Sequence, residues 1–123
     1  MDSFNTEQAL QVALTAAAAG AEALMSGFGE RHRVKFKGIT DLVTEYDLRS
    51  EEIVRRIISQ KYPDHFIVGE EEGHSGLKRA GYTWYIDPLD GTTNFAHGHP
   101  FFAVSIGLMG PGRDGREAPL AGV

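Results

Sequence analysis

From residue 6 onward apolar side chains return at the spacing of a helix face, at Leu10, Leu14, Ala17, Ala21, Leu24 and Phe28. The signals for a start stand just before them. Asn5 with Gln8 three residues on forms a capping box, and Phe4 can pack on Ala9 as a hydrophobic staple. Gly27 and Gly29 supply the stop. The small residues from Ala16 to Gly20 either admit another backbone closely or are filler of high helix propensity.

Past this helix the pattern changes period. Alternation through Val34, Phe36, Leu42 and Val43 predicts a short strand or hairpin around the turn from Lys37 to Asp41. A second helix follows, capped by Asp47 or Ser50, with Glu51 and Glu52 in its first turn. Its apolar face is Leu48, Ile53, Val54, Ile57 and Ile58, its basic half holds Arg55, Arg56 and Lys61, and Pro63 ends it. Phe66 to Val68 reads as a buried strand running into Gly69-Glu70-Glu71-Glu72-Gly73, followed by a polar loop from His74 to Gly81. Then come a strand over Thr83 to Ile86 and a short helix opening near Gly91 to Thr93. A strand over Phe101 to Leu108, a hairpin-type turn over Met109 to Arg116 and an apolar strand from Ala118 to Val123 follow.

Composition narrows the chemistry. The chain has 123 residues, a formal net charge of -5 and no cysteine, the size of one domain with a modest core. Any metal must be held by oxygen or imidazole, which favours hard cations. No basic stripe is present to neutralise phosphates along a duplex, so nucleic acid is not expected as a partner. The first residues carry Asp2 and Glu7 where a leader would be basic, and Glu22 breaks the apolar run, so neither a leader nor a membrane span is expected. The expected setting is cytoplasmic.

Two acidic clusters carry the functional signal. In Trp84-Tyr85-Ile86-Asp87-Pro88-Leu89-Asp90-Gly91-Thr92-Thr93-Asn94-Phe95, two carboxylates stand three residues apart where a strand gives way to a turn. If they converge, one pKa must rise or a cation must neutralise them, and Mg²⁺ suits such oxygen ligands. The amides of Gly91, Thr92 and Thr93 then open a helix, a ready site for an anion. The plainer reading makes Asp87 a turn residue and Asp90 a helix N-cap, with Gly91 present for its positive φ. Likewise Glu70-Glu71-Glu72 is either a solvated charge run or the end of a second strand that brings its acids to the same sheet edge. Trp84 and Tyr85 read as strand packing, and His97 and His99 as structural or surface residues, because no nearby acid completes a histidine metal site.

Together these residues resemble the inositol monophosphatase family of lithium-sensitive, Mg²⁺-dependent phosphatases. The resemblance is carried by Lys37, Asp41 to Thr44, Asp47, Gly69-Glu70-Glu71, the run from Trp84 to Phe95, His97 and Pro100-Phe101. It covers nearly the whole chain in order. His99 departs from it, standing where the family more usually has an apolar residue. The resemblance implies an α/β fold, the α+β layered sandwich of the sugar phosphatases, with two long helices packed on a largely antiparallel sheet. It further implies that Glu70, Asp87 and the Leu89 carbonyl hold one Mg²⁺, that Asp87 and Asp90 share a second, and that Glu70 and Glu71 lie near a third. Gly91 and Thr92 would bind the phosphate, with Asp90 beside it and Lys37 steadying it or a metal-bound water. Glu70 and Thr92, with Asp47 behind Thr92, would orient the attacking water.

The implied activity is hydrolysis of a small phosphate monoester, inositol monophosphate foremost. Related enzymes take fructose bisphosphate, adenosine bisphosphate or histidinol phosphate. An aspartyl-phosphate mechanism would need acids two residues apart, and these are three apart. The family's chains are about twice this length, so residues 1–123 are expected to be the N-terminal part of the domain. On that expectation the chain is a homodimer or associates through exposed sheet edges. A non-catalytic cation-binding fragment or half of a split enzyme is the alternative.

Overall fold

The structure is a computed structural model that describes residues 4–29, 39–69, 74–75 and 81–123. Helix α1 (Thr6–Met25) begins as the sequence predicts: the Asn5 side chain caps it, accepting the Gln8 amide at 3.0 Å. Phe4 reaches beyond the helix and stacks on Tyr82, with ring centroids 4.3 Å apart. The buried face of α1 is offset from the leucine stripe. Ala9, Ala13, Ala16, Gly20 and Leu24 are inside, while Leu14 is 44% exposed. Ala9, Ala13, Ala16 and Gly20 are therefore contact surface, and at Gly20 an added Cβ would stand 2.9 Å from the side chains of Ser50 and Val54.

Helix α2 (Ile39–Lys61) departs from expectation. Residues 39–43, expected to be strand or hairpin, are its first turns. Asp47 and Ser50 are interior positions, not caps, and Glu51 is buried in mid-helix. No Gly or Pro interrupts the sequence from Ile39 to Lys61, so the helix runs on through β-branched residues that locally favour a strand. The helix ends ahead of Pro63, as predicted. Its packed side includes Tyr46, Ser50, Val54 and Ile58, while Leu48 turns outward.

The sheet has the order β2-β1-β3-β4-β5, formed by β1 (Phe66–Gly69), β2 (His74–Ser75), β3 (Thr83–Asp90), β4 (Ala103–Pro111) and β5 (Glu117–Gly122). The expected polar loop thus contains a two-residue strand. The hairpin turn is shorter than expected, closing over residues 112–116 with a Gly112 amide to Arg116 carbonyl bond of 2.7 Å. The pairings are antiparallel except that of β1 with β3, which is parallel. The helices lie on one face of the sheet. Trp84, Ile86, Ile106 and Leu108 point into a core with Ala9, Ala13, Ala16, Val54 and Ile58. Tyr85 alternates to the other face and is 48% exposed, so of the two aromatic residues predicted to pack, only Trp84 does.

Two contacts fix the helices to the sheet. At Gly27 an added Cβ would run into the ring of Tyr46, which belongs to a second core cluster with Leu24, Leu89 and Phe95. At the opposite end of β3, His65 is sandwiched between Tyr62 and Tyr82, with centroids 4.5 Å and 4.8 Å away. The Trp84 indole donates to its Nδ1 at 3.0 Å. An indole N–H only donates, so that ring nitrogen is unprotonated and the imidazole neutral. Burial lowers the His65 pKa, against a smaller opposing pull from Asp64.

Gly27→Ala is expected to destabilise the fold by about 1–3 kcal/mol through overpacking, whereas Leu14→Ala stays within about 0.5 kcal/mol; urea unfolding of both measures the contrast. His65 generates a pH prediction. The folded state resists its protonation, so the unfolded chain binds more protons, and stability is full above the ordinary histidine value of 6.5 and lost as pH falls below it. Midpoints measured between pH 8 and 5 should fall for the parent chain and fall less for His65→Gln.

Candidate active site

Residues i and i+3 of a regular strand point to opposite faces. Asp87 and Asp90 escape this because β3 carries an irregularity between them: Asp87 pairs with Ser105, yet Asp90 pairs with Ala103, so three steps on β3 match two on β4. The added residue is a β-bulge. It sends two successive residues, Pro88 and Leu89, into the buried side, while Asp87 stays half-buried and Asp90 exposed. Proline suits the position, since a bulge leaves one residue without a ladder bond and Pro88 has no N–H to strand. Leu89 anchors the arrangement in the cluster with Leu24, Tyr46 and Phe95.

Asp87 lines a hollow of about 280 Å³ with Val68, Gly69, Tyr85, Ile86 and Ser105. Its Oδ1 accepts the Leu89 amide at 3.3 Å. Burial raises its pKa most, the Leu89 amide partly offsets this, and the charge of Asp90 raises it further. The charge of Asp90 thus reaches Asp87 where β3 ends.

Gly91 follows with φ +95°, the left-handed conformation that favours glycine, and an added Cβ would stand 2.9 Å from the Phe101 carbonyl. It is the N-cap of the one-turn helix α3 (Thr92–Ala96), so Asp90 is not the cap. Thr92 and Thr93 are exposed at its start, and their amides have no partner within the helix. His97 closes α3, its Nδ1 donating to the Thr93 carbonyl at 2.8 Å, the structural role expected. His99 is exposed, its amide bonded to the Asn94 carbonyl at 2.8 Å. Asp47, 3% exposed, lies on α2 beside Tyr46, whose ring meets that of Phe95 on α3 at 6.0 Å. The helices bearing Asp47 and Thr92 are therefore neighbours.

Lys37, Glu70 and Glu71 lie outside the described residues. The parallel register of β1 and β3 runs to Gly69 opposite Ile86, so the two strands end at one edge of the sheet. Among the described residues no three histidine or acidic side chains gather into a metal-holding group. What is present is a pair of carboxylates with a nearby main-chain carbonyl, an all-oxygen donor set whose mutual repulsion a hard cation would relieve. The residues fit Mg²⁺ in donor chemistry and charge.

Sequence reasoning missed Ser50, Glu51 and Arg55, which are buried on α2 against the strand ends. A signal was available. Asp47, Ser50, Glu51, Val54, Arg55 and Ile58 repeat at three- and four-residue spacing, a polar stripe merging into an apolar one.

Repulsion at the turn gives a test in the absence of metal. Asp87→Asn keeps an oxygen for the Leu89 amide while removing one charge, and it is expected to raise the metal-free melting temperature at pH 7 by about 1–3 °C. Scanning calorimetry in chelator measures this, and addition of Mg²⁺ should stabilise the parent chain but not the variant.

Comparison with known proteins identifies the family. Residues 5–123 match the model of the inositol monophosphatase family. The chain is 46% identical over 100 residues to the chloroplastic phosphatase IMPL1 of Arabidopsis thaliana, covering 81% of this chain and 27% of that protein. It is 44% identical over 107 residues to a fructose-1,6-bisphosphatase/inositol-1-monophosphatase of Aquifex aeolicus, covering 85% and 40%. The inositol monophosphatase structure from Anabaena (Nostoc) sp. PCC 7120 superposes with a TM-score of 0.69 at 41% identity, over 85% of this chain and 36% of that one. The chain therefore spans well under half the length of these relatives. On the family match, the ordered signature residues and the shared fold, the chain belongs to the inositol monophosphatase family.

Proposed function

We propose that the protein of which this chain forms the described part is a Mg²⁺-dependent phosphate monoester hydrolase, with inositol monophosphate as its leading substrate. The observation that carries the reading is the bulge in β3, which turns Asp87 and Asp90 to the same side of the sheet. A strand that only needed to pack would not bury Pro88 and Leu89 in succession to turn two acids to one side.

In this reading Asp87, Asp90 and the Leu89 carbonyl supply oxygens to the cation, joined by Glu70 and Glu71. When bound, Mg²⁺ would supply charge to neutralise the phosphate and the leaving oxygen and would lower the pKa of a water. The chain's own groups do the rest. The amides of Gly91 and Thr92 hold the phosphate, Lys37 steadies it, and the Thr92 hydroxyl orients the attacking water with Glu70. Asp47, buried on the adjoining helix, fixes the Thr92 side chain. No covalent enzyme intermediate is involved, since the acids are occupied as ligands. A cytoplasmic, homodimeric enzyme belongs to the same proposal, and β5, at the edge of the sheet order, offers main chain for association.

The relatives' names bear on substrate. The Aquifex aeolicus protein is named for both fructose-1,6-bisphosphate and inositol-1-monophosphate, so both belong in the assay. Phosphate release from inositol monophosphate is expected only with Mg²⁺, and Asp87→Asn should lower turnover by at least about a thousandfold, the loss of about 4 kcal/mol of transition-state stabilisation. Turnover in ¹⁸O-labelled water should leave no label in any aspartate. Turnover by Asp87→Asn near the parent rate, or label in Asp87, would overturn the proposal.

A further inference from the structure

Four polar side chains of α2, Asp47, Ser50, Glu51 and Arg55, are buried, which is costly unless each meets a partner. Two of the places they meet are main chain at the site. Ser50 Oγ lies 3.1 Å from the Gly20 carbonyl and 3.4 Å from the Pro88 carbonyl, so its one proton is shared between α1 and the bulge. A serine inside a helix ordinarily bonds back to its own preceding turn. This one reaches outward because Gly20 has no side chain: a Cβ there would stand 2.9 Å from both Ser50 Oγ and Val54 Cγ2. Glu51 accepts the Arg55 Nε at 3.0 Å, and the pair lies flush against Gly69. An added Cβ at Gly69 would come within 2.7 Å of Glu51 Oε1 and 2.8 Å of Arg55 Nη2. One helix thus touches the last residue of β1 and the proline between Asp87 and Leu89.

Stability alone does not account for this stripe. A buried ion pair is often no more stabilising than apolar residues of the same volume, and α2 supplies apolar packing on either side of it. What the stripe adds, among the described residues, is directed contact with two strand ends. We propose that Ser50 and the Glu51–Arg55 pair are positioning residues that hold the ends of β1 and β3 at a fixed spacing, so that Asp87 and Asp90 are preorganised for a divalent cation. The inference rests on the cation reading of that turn. It extends that reading to residues that touch neither cation nor substrate. Because Gly69 pairs with Ile86, the brace acts one residue short of Asp87. A small cation that demands near-octahedral oxygens is sensitive to such spacing.

The test is a Mn²⁺ titration of the full chain followed by electron paramagnetic resonance, Mn²⁺ standing in for Mg²⁺. Ser50→Ala and Glu51→Gln are each expected to weaken Mn²⁺ binding by about tenfold, as loss of outer supports of a metal site does. Ile58→Val, which loosens the same helix away from the site, is expected to leave binding within about twofold of the parent. Parent-like binding by both site variants, or an equal loss in Ile58→Val, would overturn the inference; if one site variant does not fold, the other decides. A parent chain that binds no Mn²⁺ would overturn the cation reading itself and the inference with it, which separates the two failures.

Discussion

Two carboxylates three residues apart on a strand share a face only if the strand gains a residue between them, and that constraint organises this molecule. The bulge at Pro88 and Leu89 meets it. Its cost is a broken ladder and two acids held close. What offsets that cost is the burial of Leu89 with Leu24, Tyr46 and Phe95. The site is therefore built from the core outward: the apolar residues of the turn are anchored so that the charged ones are displayed.

The helices serve the same end. Gly27 gives the Tyr46 ring its place, and Tyr46 in turn packs on Leu89 and Phe95, linking α1, α2, β3 and α3 in one contact chain. At the far end of β3 the neutral His65 receives the Trp84 indole, so the strand bearing the acids is tied down three residues before Asp87 as well as within the bulge. Rigidity at both ends suits a turn that holds like charges together.

Much of this was legible in the sequence. Asn5 and Gln8 announced the first helix, Phe66 to Val68 and Thr83 to Ile86 the strands, and Gly91 the left-handed residue, because each rests on local chemistry that tertiary packing reinforced. The start of α2 was not legible, since Ile39, Thr40, Val43 and Thr44 have strand propensity. The inside of α1 was misplaced toward its leucines, because proximity to other elements, which selects alanine and glycine, leaves no mark in hydrophobic periodicity. The acids at 87 and 90 were conspicuous. How they share a face was hidden, because the bulge exists only in the register with β4. The polar residues of α2 were assigned to helix ends by charge, whereas their burial depends on strands distant in sequence.

The central claim, that Asp87 and Asp90 act on one cation from one face, is tested most directly by a double-mutant cycle in Mn²⁺ affinity with Asp87→Asn, Asp90→Asn and both together. Shared coordination predicts strong coupling: each single change removes most of the binding and the pair removes little more. Losses that simply add, or binding that survives Asp90→Asn unchanged, would contradict it.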